Sequence, residues 1–366
     1  MSFKYPIITI NSLVYNNANF FEDSLLSVIN QTYPSEKIEH IIVDDFSTDN
    51  SINIVESLIS KYNHKCIFLK NKQNLGITKS LNKALSLAKG KYWTGISDDI
   101  WKKDRLEVLV KNLESSKFKA PLACSNFVTF NREINLLTKP YFPKNFKFPN
   151  DVFSEFLTKK KLLISTPTVM INTSDLKKIG GYNESFLAED FDLWIKILSG
   201  HKIIYVDKVL VGYRKHKKSV SSVYWNRMIK DCYQSIVNIQ NCDQLSEQQR
   251  MATLIKKLDL SKKVISIEIG CKKGNFKSVF TNLYKGLKEH NSYSKFYKRY
   301  GYDLLDDLFI YLFKRNSFLA RQIRRSISHK FKNPHKIYNF MFFIGNISKR
   351  LDYYFLILIS KFESVK

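Results

Sequence analysis

Apolar and polar positions along the first hundred residues switch repeatedly between two spacings, and the switching predicts the elements. "PIITINSLVYN" opens with a β-branched apolar run and reads as a strand. Asn19 then stands three residues ahead of Glu22, a capping-box arrangement before the helical "SLLSVINQ". "IEHIIVDD" is a buried-strand run, and "STDNSINIVESLISKY" follows with Ile52, Val55 and Ile59 on one helical stripe. "KCIFLKN" and "GITKSLNKALSLAKG" repeat the unit, with Ile77, Leu81, Ala84, Leu85 and Ala88 as the stripe and Gly90 suited to the helix stop. "KYWTGIS" is the next strand. Strands alternating with helices in this way predict an α/β fold, a mainly parallel sheet flanked by helices on both faces.

Past Trp101 the pattern loosens. "DRLEVLVKNLES" reads as a helix, "PLACSNFVTF" and "STPTVMIN" as strands, and "LLTKPYFPKNFKFPND" as a Pro- and Lys-rich connection. "TSDLKKIGG" is a short capped helix, "EDFDLWIKILSG" a helix with three acids in its first turn, and "HKIIYVDKVLVGYRKHKKS" a strand that ends in basic residues. A catalytic domain over residues 1–224 and a helical, basic region over 225–366 are expected. Two apolar clusters near the end, "YNFMFFIGN" and "YYFLILIS", are each too short to span a bilayer. They suit the apolar side of interfacial helices or a packed core equally well.

Composition changes this picture in two places. The 366 residues carry a formal net charge of +26, and residues 225–366 hold 27 Lys and Arg against 11 Asp and Glu, so the surplus concentrates at the C-terminal end. Such charge interleaved with aromatics draws a protein toward polyanions, an anionic membrane surface or nucleic acid. The five cysteines are widely spaced with no Cys-x-x-Cys pair, which suggests reduced thiols, and the N-terminus lacks the features of a secretory signal. A cytoplasmic protein, peripheral on the inner face of the membrane, is the expectation.

Against that basic background two predicted strands end in paired acids, Asp44–Asp45 and Asp98–Asp99. Ligands of open parallel sheets bind outside the carboxyl ends of the strands, so the four carboxylates are expected to converge on one rim. Acids at such a place cap helices, join ion pairs, or hold a hard divalent cation such as Mn2+ or Mg2+ that grips phosphate oxygens. Asp98 and Asp99 precede Ile100 and Trp101 rather than a helix start, which favours the cation. Neither a GxxxxGK[ST] loop nor a GxGxxG loop occurs, so P-loop ATPases and dinucleotide dehydrogenases are not supported.

The ordered motifs "LVYNNANF", "IIVDDFSTDNS", "NLGITKSLNKAL", "TGISDDI", "GGYNESFLAEDFDLW" and "YRKHKKSVS" resemble the family 2 glycosyltransferases of the Rossmann-like GT-A fold, over about residues 5 to 222. The resemblance implies an inverting enzyme that moves a sugar from a nucleotide-diphosphate donor, UDP-linked by expectation, to a hydroxyl of a glycan or lipid-linked acceptor. It implies Tyr15 stacked on the nucleobase and Asp45 accepting from the base. It gives Asp98 to the ribose and Asp99 to the metal, and it makes Asp190 the general base with Glu189 as second candidate. Leu13 stands where many members carry Thr or Pro, leaving backbone contact to the base. Asn74 and Gly76 shape the donor turn, and Arg214 and His216 are implied phosphate or metal contacts. Without the resemblance, the acids of "EDFD" would be assigned to the helix dipole, worth about 0.3–1 kcal/mol each, and the basic loop to a solvated face.

Two other classes compete. A nucleic-acid-binding protein would use the Lys-rich end on phosphates, but no known module is present and the acidic rim repels a phosphate backbone. A nucleotidyltransferase on a similar fold would carry a Gly-rich first loop, which "NSLVYNNANF" lacks. Residues 225–366 suit membrane association, acceptor binding or a homo-oligomer contact.

Overall fold

The computed structural model describes residues 3–131, 139–159, 162–216, 219–239 and 242–270. The alternating half forms β1 (Ile8–Val14), α1 (Ala18–Ile29), β2 (Ile38–Asp44), α2 (Ser51–Lys61), β3 (Ile67–Lys70), α3 (Ile77–Leu87) and β4 (Tyr92–Ile96). There follow β5 (Ile100–Trp101), α4 (Arg105–Glu114), β6 (Leu122–Phe130), α5 (Val152–Thr158), β7 (Val169–Asn172), α6 (Thr173–Lys178), α7 (Glu189–Leu198) and β8 (Ile204–Arg214). Three helices close the described chain, α8 (Val220–Val223), α9 (Trp225–Ile239) and α10 (Glu247–Gly270).

The described strands form one sheet in the order β3-β2-β1-β4-β7-β6-β8-β5. β1 pairs in parallel with both β2 and β4, and β2 with β3, which gives the expected parallel half. The other half is mixed: β7 runs antiparallel to β4 and β6, β6 and β8 are parallel, and β5 is antiparallel to β8. β5 was not legible, because two residues are too few to show a period. Its pairing of Ile100 with Gly212 and Trp101 with Val211 brings the end of β8 against the turn after β4.

β1 is buried along nearly its whole length, as a central parallel strand covered on both faces must be. Val14 and Ile42 pack with Phe21, Leu25, Val55 and Leu58 of α1 and α2. Each such side chain contributes about 1.5–3 kcal/mol on burial, and together they fix the strand tips relative to the helices.

Two local expectations are corrected. α1 starts at Ala18 with Asn17 at its N-cap and no side-chain cap bond, so the Asn19–Glu22 capping box does not form. The Asn17 amide is instead committed to the Ser97 carbonyl at 3.2 Å, across to the end of β4. The buried stripe of α2 is Ser51, Val55 and Leu58, turned from the expected Ile52, Val55 and Ile59 because Ser51 bonds inward to Asp49 and the backbone of Asn17.

One compact unit spans Met1–Lys257 and a second Leu258–Lys366. α9 and the first part of α10 therefore group with the sheet, beyond the boundary expected at 224, with Ile229 and Ile236 buried. No helix among the described residues is long and apolar enough to cross a membrane. The clusters "YNFMFFIGN" and "YYFLILIS" lie outside the described residues.

Candidate active site

The loops that leave β1 and β2 are tied to each other. Asn16, at φ +48°, accepts from the backbone N–H groups of Thr48 (2.8 Å) and Asp49 (3.3 Å) and donates its own to Ser47 Oγ (3.0 Å). Asp49 accepts from the N–H of Ala18, which joins the start of α1 to the same net. Tyr15 projects from this tip half-exposed, and so does Phe46. Phe46 has φ +68°, a left-handed conformation that a bulky residue adopts only when its surroundings hold it there. Sequence reasoning missed Phe46; its signal was an aromatic directly after two acids at a strand end. Leu13 is half-buried, and its carbonyl accepts from Ser97 Oγ at 3.0 Å.

Asp45 is buried and saturated. Its Oδ1 accepts from Asn71 Nδ2 (2.8 Å), Leu75 N (2.8 Å) and Ser80 Oγ (3.0 Å), and its Oδ2 from Gly76 N (2.9 Å). Asn74 Nδ2 donates to the Asp45 carbonyl at 3.2 Å. Asn74 and Gly76 thus shape one turn around Asp45, whose two oxygens, implied by the resemblance to accept from a nucleobase, already accept from protein donors. The turn needs a glycine, because Gly76 lies at φ +86° where a Cβ is strained. Asp44 accepts from Ser47 N at 3.0 Å with Oδ2, while its buried Oδ1 has no hydrogen-bond partner.

The turn after β4 separates the second pair. Asp99 points inward, 5% exposed, and accepts from Arg214 N at 2.8 Å. Burial, with the Asp98 charge next, drives its carboxyl well above the usual range, against the pull of Arg214 and Arg105. Arg105 is fully buried, stacked on Trp101 and bonded to Thr94 Oγ1 and to the carbonyls of Pro167 and Val169. Burial lowers its pKa to about 9. Asp98 points out and meets His216 Nε2 at 2.6 Å. Of the four acids expected on one rim, Asp98 alone keeps partial exposure, because strand alternation and the supply of donors bury the rest.

Arg214, implied by the resemblance as a phosphate or metal contact, is buried with its guanidinium turned into the protein. Its Nε donates to the Asp98 carbonyl at 2.7 Å, a terminal nitrogen to Asp23 at 3.0 Å, and the guanidinium lies between the Phe20 and Phe130 rings. It holds the Asp98–Asp99 turn from below. His216 packs on Phe20, and its Nδ1 is buried without a hydrogen-bond partner. Among the described residues no three or more His, Cys, Asp or Glu side chains group to hold a metal.

Glu189 and Asp190 open α7. Burial, then the Asp190 charge, raises Glu189 to about 8. Burial also raises Asp190, against its bonds from Phe191 N (2.7 Å) and Thr166 Oγ1 (3.3 Å). The loop ahead is fixed by Asn82, which accepts from Tyr182 N at 2.9 Å and donates to the Tyr182 carbonyl at 2.9 Å. Trp194 is core. Tyr213 on β8 feels both acid groups: burial raises its phenol to about 12, and Asp99, Asp98 and Asp190 add to it. Tyr213 was also missed, since "GYR" gives no sign of which face the ring takes.

Residues 10–180 match the sequence profile described as glycosyl transferase family 2. A Bacillus subtilis protein named as a candidate teichuronic acid biosynthesis glycosyltransferase, TuaG, is 30% identical over 225 residues, covering 60% of this chain and 83% of the relative. An uncharacterized glycosyltransferase of Methanocaldococcus jannaschii is 30% identical over 216 residues, 57% of this chain and 71% of the relative. Among solved structures, S. aureus TarS residues 1–349 with UDP-GlcNAc superpose with a TM-score of 0.57 at 19% identity, covering 77% of this chain and 81% of that one. The mannosyltransferase PcManGT from Pyrobaculum calidifontis, with GDP-Man and Mn2+, gives 0.54 at 18% identity over 86% and 89%. The rim loops at the strand ends and the paired acids after β4 fall within the span of that profile, and with relatives 30% identical over more than two thirds of their length the chain belongs to glycosyltransferase family 2.

Proposed function

We propose that the protein transfers a sugar from a nucleotide-diphosphate donor, UDP-linked in the first instance, to a hydroxyl of a glycan or lipid-linked acceptor, with inversion at the anomeric carbon. The observation that carries this reading is the partly exposed Asp98 at the turn after β4, set on the sheet of a chain whose relatives are family 2 glycosyltransferases, with Glu189 and Asp190 opening α7. In this reading the donor is held by its diphosphate near Asp98 and its sugar is directed toward the carboxylates of α7.

Tyr15 and Phe46 are assigned to the base, with the Asp45–Gly76 net holding the turn around it. Asp190 is the base: burial lifts it toward neutrality, where proton acceptance is effective. Glu189, raised to about 8, stays protonated at neutral pH and leaves one negative charge on the pair. Asp190 takes the hydroxyl proton as the acceptor oxygen bonds to the anomeric carbon, and the nucleoside diphosphate leaves from the opposite face.

The residues fit a divalent cation in a limited way. Asp98 and His216 offer a carboxylate and an imidazole whose buried Nδ1 is unpartnered, and Mn2+ or Mg2+ is commonly held by one or two such side chains plus substrate phosphates. Bound there, the cation would neutralise charge growing on the leaving diphosphate. Asp98 is assigned this place over Asp99, whose carboxylate is turned inward.

The teichuronic acid biosynthesis for which TuaG is named supports a place in bacterial surface polysaccharide synthesis. A peripheral position on an anionic membrane follows from the basic residues 225–366 and from the exposed Val223, Tyr224 and Trp225. The test is nucleoside diphosphate release from a panel of UDP- and GDP-sugars with Mn2+, with and without EDTA. Release from none of them, alongside thermal stabilisation by DNA or RNA, would sink the reading.

A further inference from the structure

The catalytic pair begins a helix that its own sequence does not cap. Ala188 occupies the N-cap of α7 and has no side chain able to accept a hydrogen bond. The acceptor comes from α9: Asp231 Oδ2 takes the N–H of Leu187 at 2.7 Å and of Ala188 at 3.3 Å. Two backbone donors immediately before Glu189 are therefore held by one carboxylate that lies outside residues 10–180, the span of the family profile.

We propose that Asp231 is a positioning residue for the transfer: α9 fixes, through this carboxylate, where the backbone of Glu189 and Asp190 stands. The proposal rests on the reading of that pair as the catalytic carboxylates. α9 is anchored for the task by Ile229 and Ile236, both buried, so the carboxylate is presented from a packed helix and not from a loop. α10 adds a contact to α7, with Lys256 Nζ 5.8 Å from the ring centre of Phe191.

The charge of Asp231 acts as well as its hydrogen bonds, since it raises Glu189 alongside burial and Asp190. Other charged or titratable groups around the pair are Asp192 and its partner Lys196 on α7, Tyr182 on the preceding loop, Tyr213 on β8 and Lys256 on α10. Asp231 bonds directly to the backbone ahead of the pair.

The experiment compares full-length Asp231→Ala and Asp231→Asn with Glu189→Gln and Asp190→Asn, measuring kcat, donor KM, pH profile and melting. Asp231→Ala is expected to lower kcat about 10- to 100-fold, the scale of a small misplacement of reacting groups, with donor KM within about twofold. Asp231→Asn keeps an acceptor oxygen but not the charge, so kcat falls less, while the inflection that Glu189→Gln abolishes moves to lower pH. A folded Asp231→Asn whose profile does not move, or a folded Asp231→Ala with wild-type kcat, overturns the proposal while the pair's role stands. Wild-type turnover in both Glu189→Gln and Asp190→Asn instead removes the reading of the pair, and the proposal with it.

Discussion

The same dipeptide, Asp-Asp, ends β2 and follows β4, and the two copies have different surroundings. At Asp44–Asp45 the second acid is the hub of a closed net, with four donors on its carboxylate, and the first is buried beside it. At Asp98–Asp99 the second acid is drawn inward by Arg214 N and the first faces out toward His216. A carboxylate's task is thus set by how many donors the fold brings to it. Where the backbone supplies them the acid is structural; where only one imidazole meets it, capacity remains for a ligand.

The sharpest way to break this contrast is Asp98→Asn. Nucleoside diphosphate release should fall about 10³-fold, the scale of losing one charge-stabilising group in the transition state, with the melting temperature nearly unchanged. The opposite result is expected of Asp45→Ala: unfolding in urea should show a loss of about 3 kcal/mol, because several buried donors lose their acceptor together. Equal stability in these two variants would erase the distinction.

His216→Ala should raise the Mn2+ concentration needed for half-maximal activity about 10-fold or more, a size typical of lost metal-site support. Asp99→Asn retains an oxygen for Arg214 N, so turnover should fall less than about 10-fold, roughly 1 kcal/mol of barrier. If Asp99→Asn proves as inactive as Asp98→Asn, the assignment of the outward acid is wrong.

The smallest effect lies behind the β2 pair. His40 is buried between Ser12 and His64, and burial, with the His64 charge, holds its imidazole well below the ordinary 6.5. A depressed histidine stays neutral in the folded chain while the unfolded chain gains a proton, so stability present above about pH 6.5 is lost as pH falls toward the folded value. Melting between pH 7 and 5 should show this fall, and His40→Asn should flatten it.

Much of the parallel half was legible because each element there carries a long periodic signal. β1 to β4 and α1 to α3 appear where apolar spacing puts them, and the motif order was enough to mark Asp45, Asn74, Gly76, Asp98 and Asp190 as residues of interest. The failures share a cause. The capping box at Asn19 was lost when Asn17 took a partner 80 positions away. The two residues of β5 carry no period, and the partners of Arg214, Asp23 and the Asp98 carbonyl, lie more than 100 positions earlier in the chain. Asp231 had no signal at all, since its partners are backbone N–H groups more than 40 positions earlier.

By itself the sequence determined the strand and helix alternation, the acids at the strand ends and the basic surplus of residues 225–366, because these depend on spacing and composition within short windows. Which of the paired acids keeps its exposure, what lies under the Asp98 turn, and what holds the start of α7 were decided only by tertiary structure. Burial and donor supply come from residues far apart in the chain, and no local pattern encodes where those residues meet.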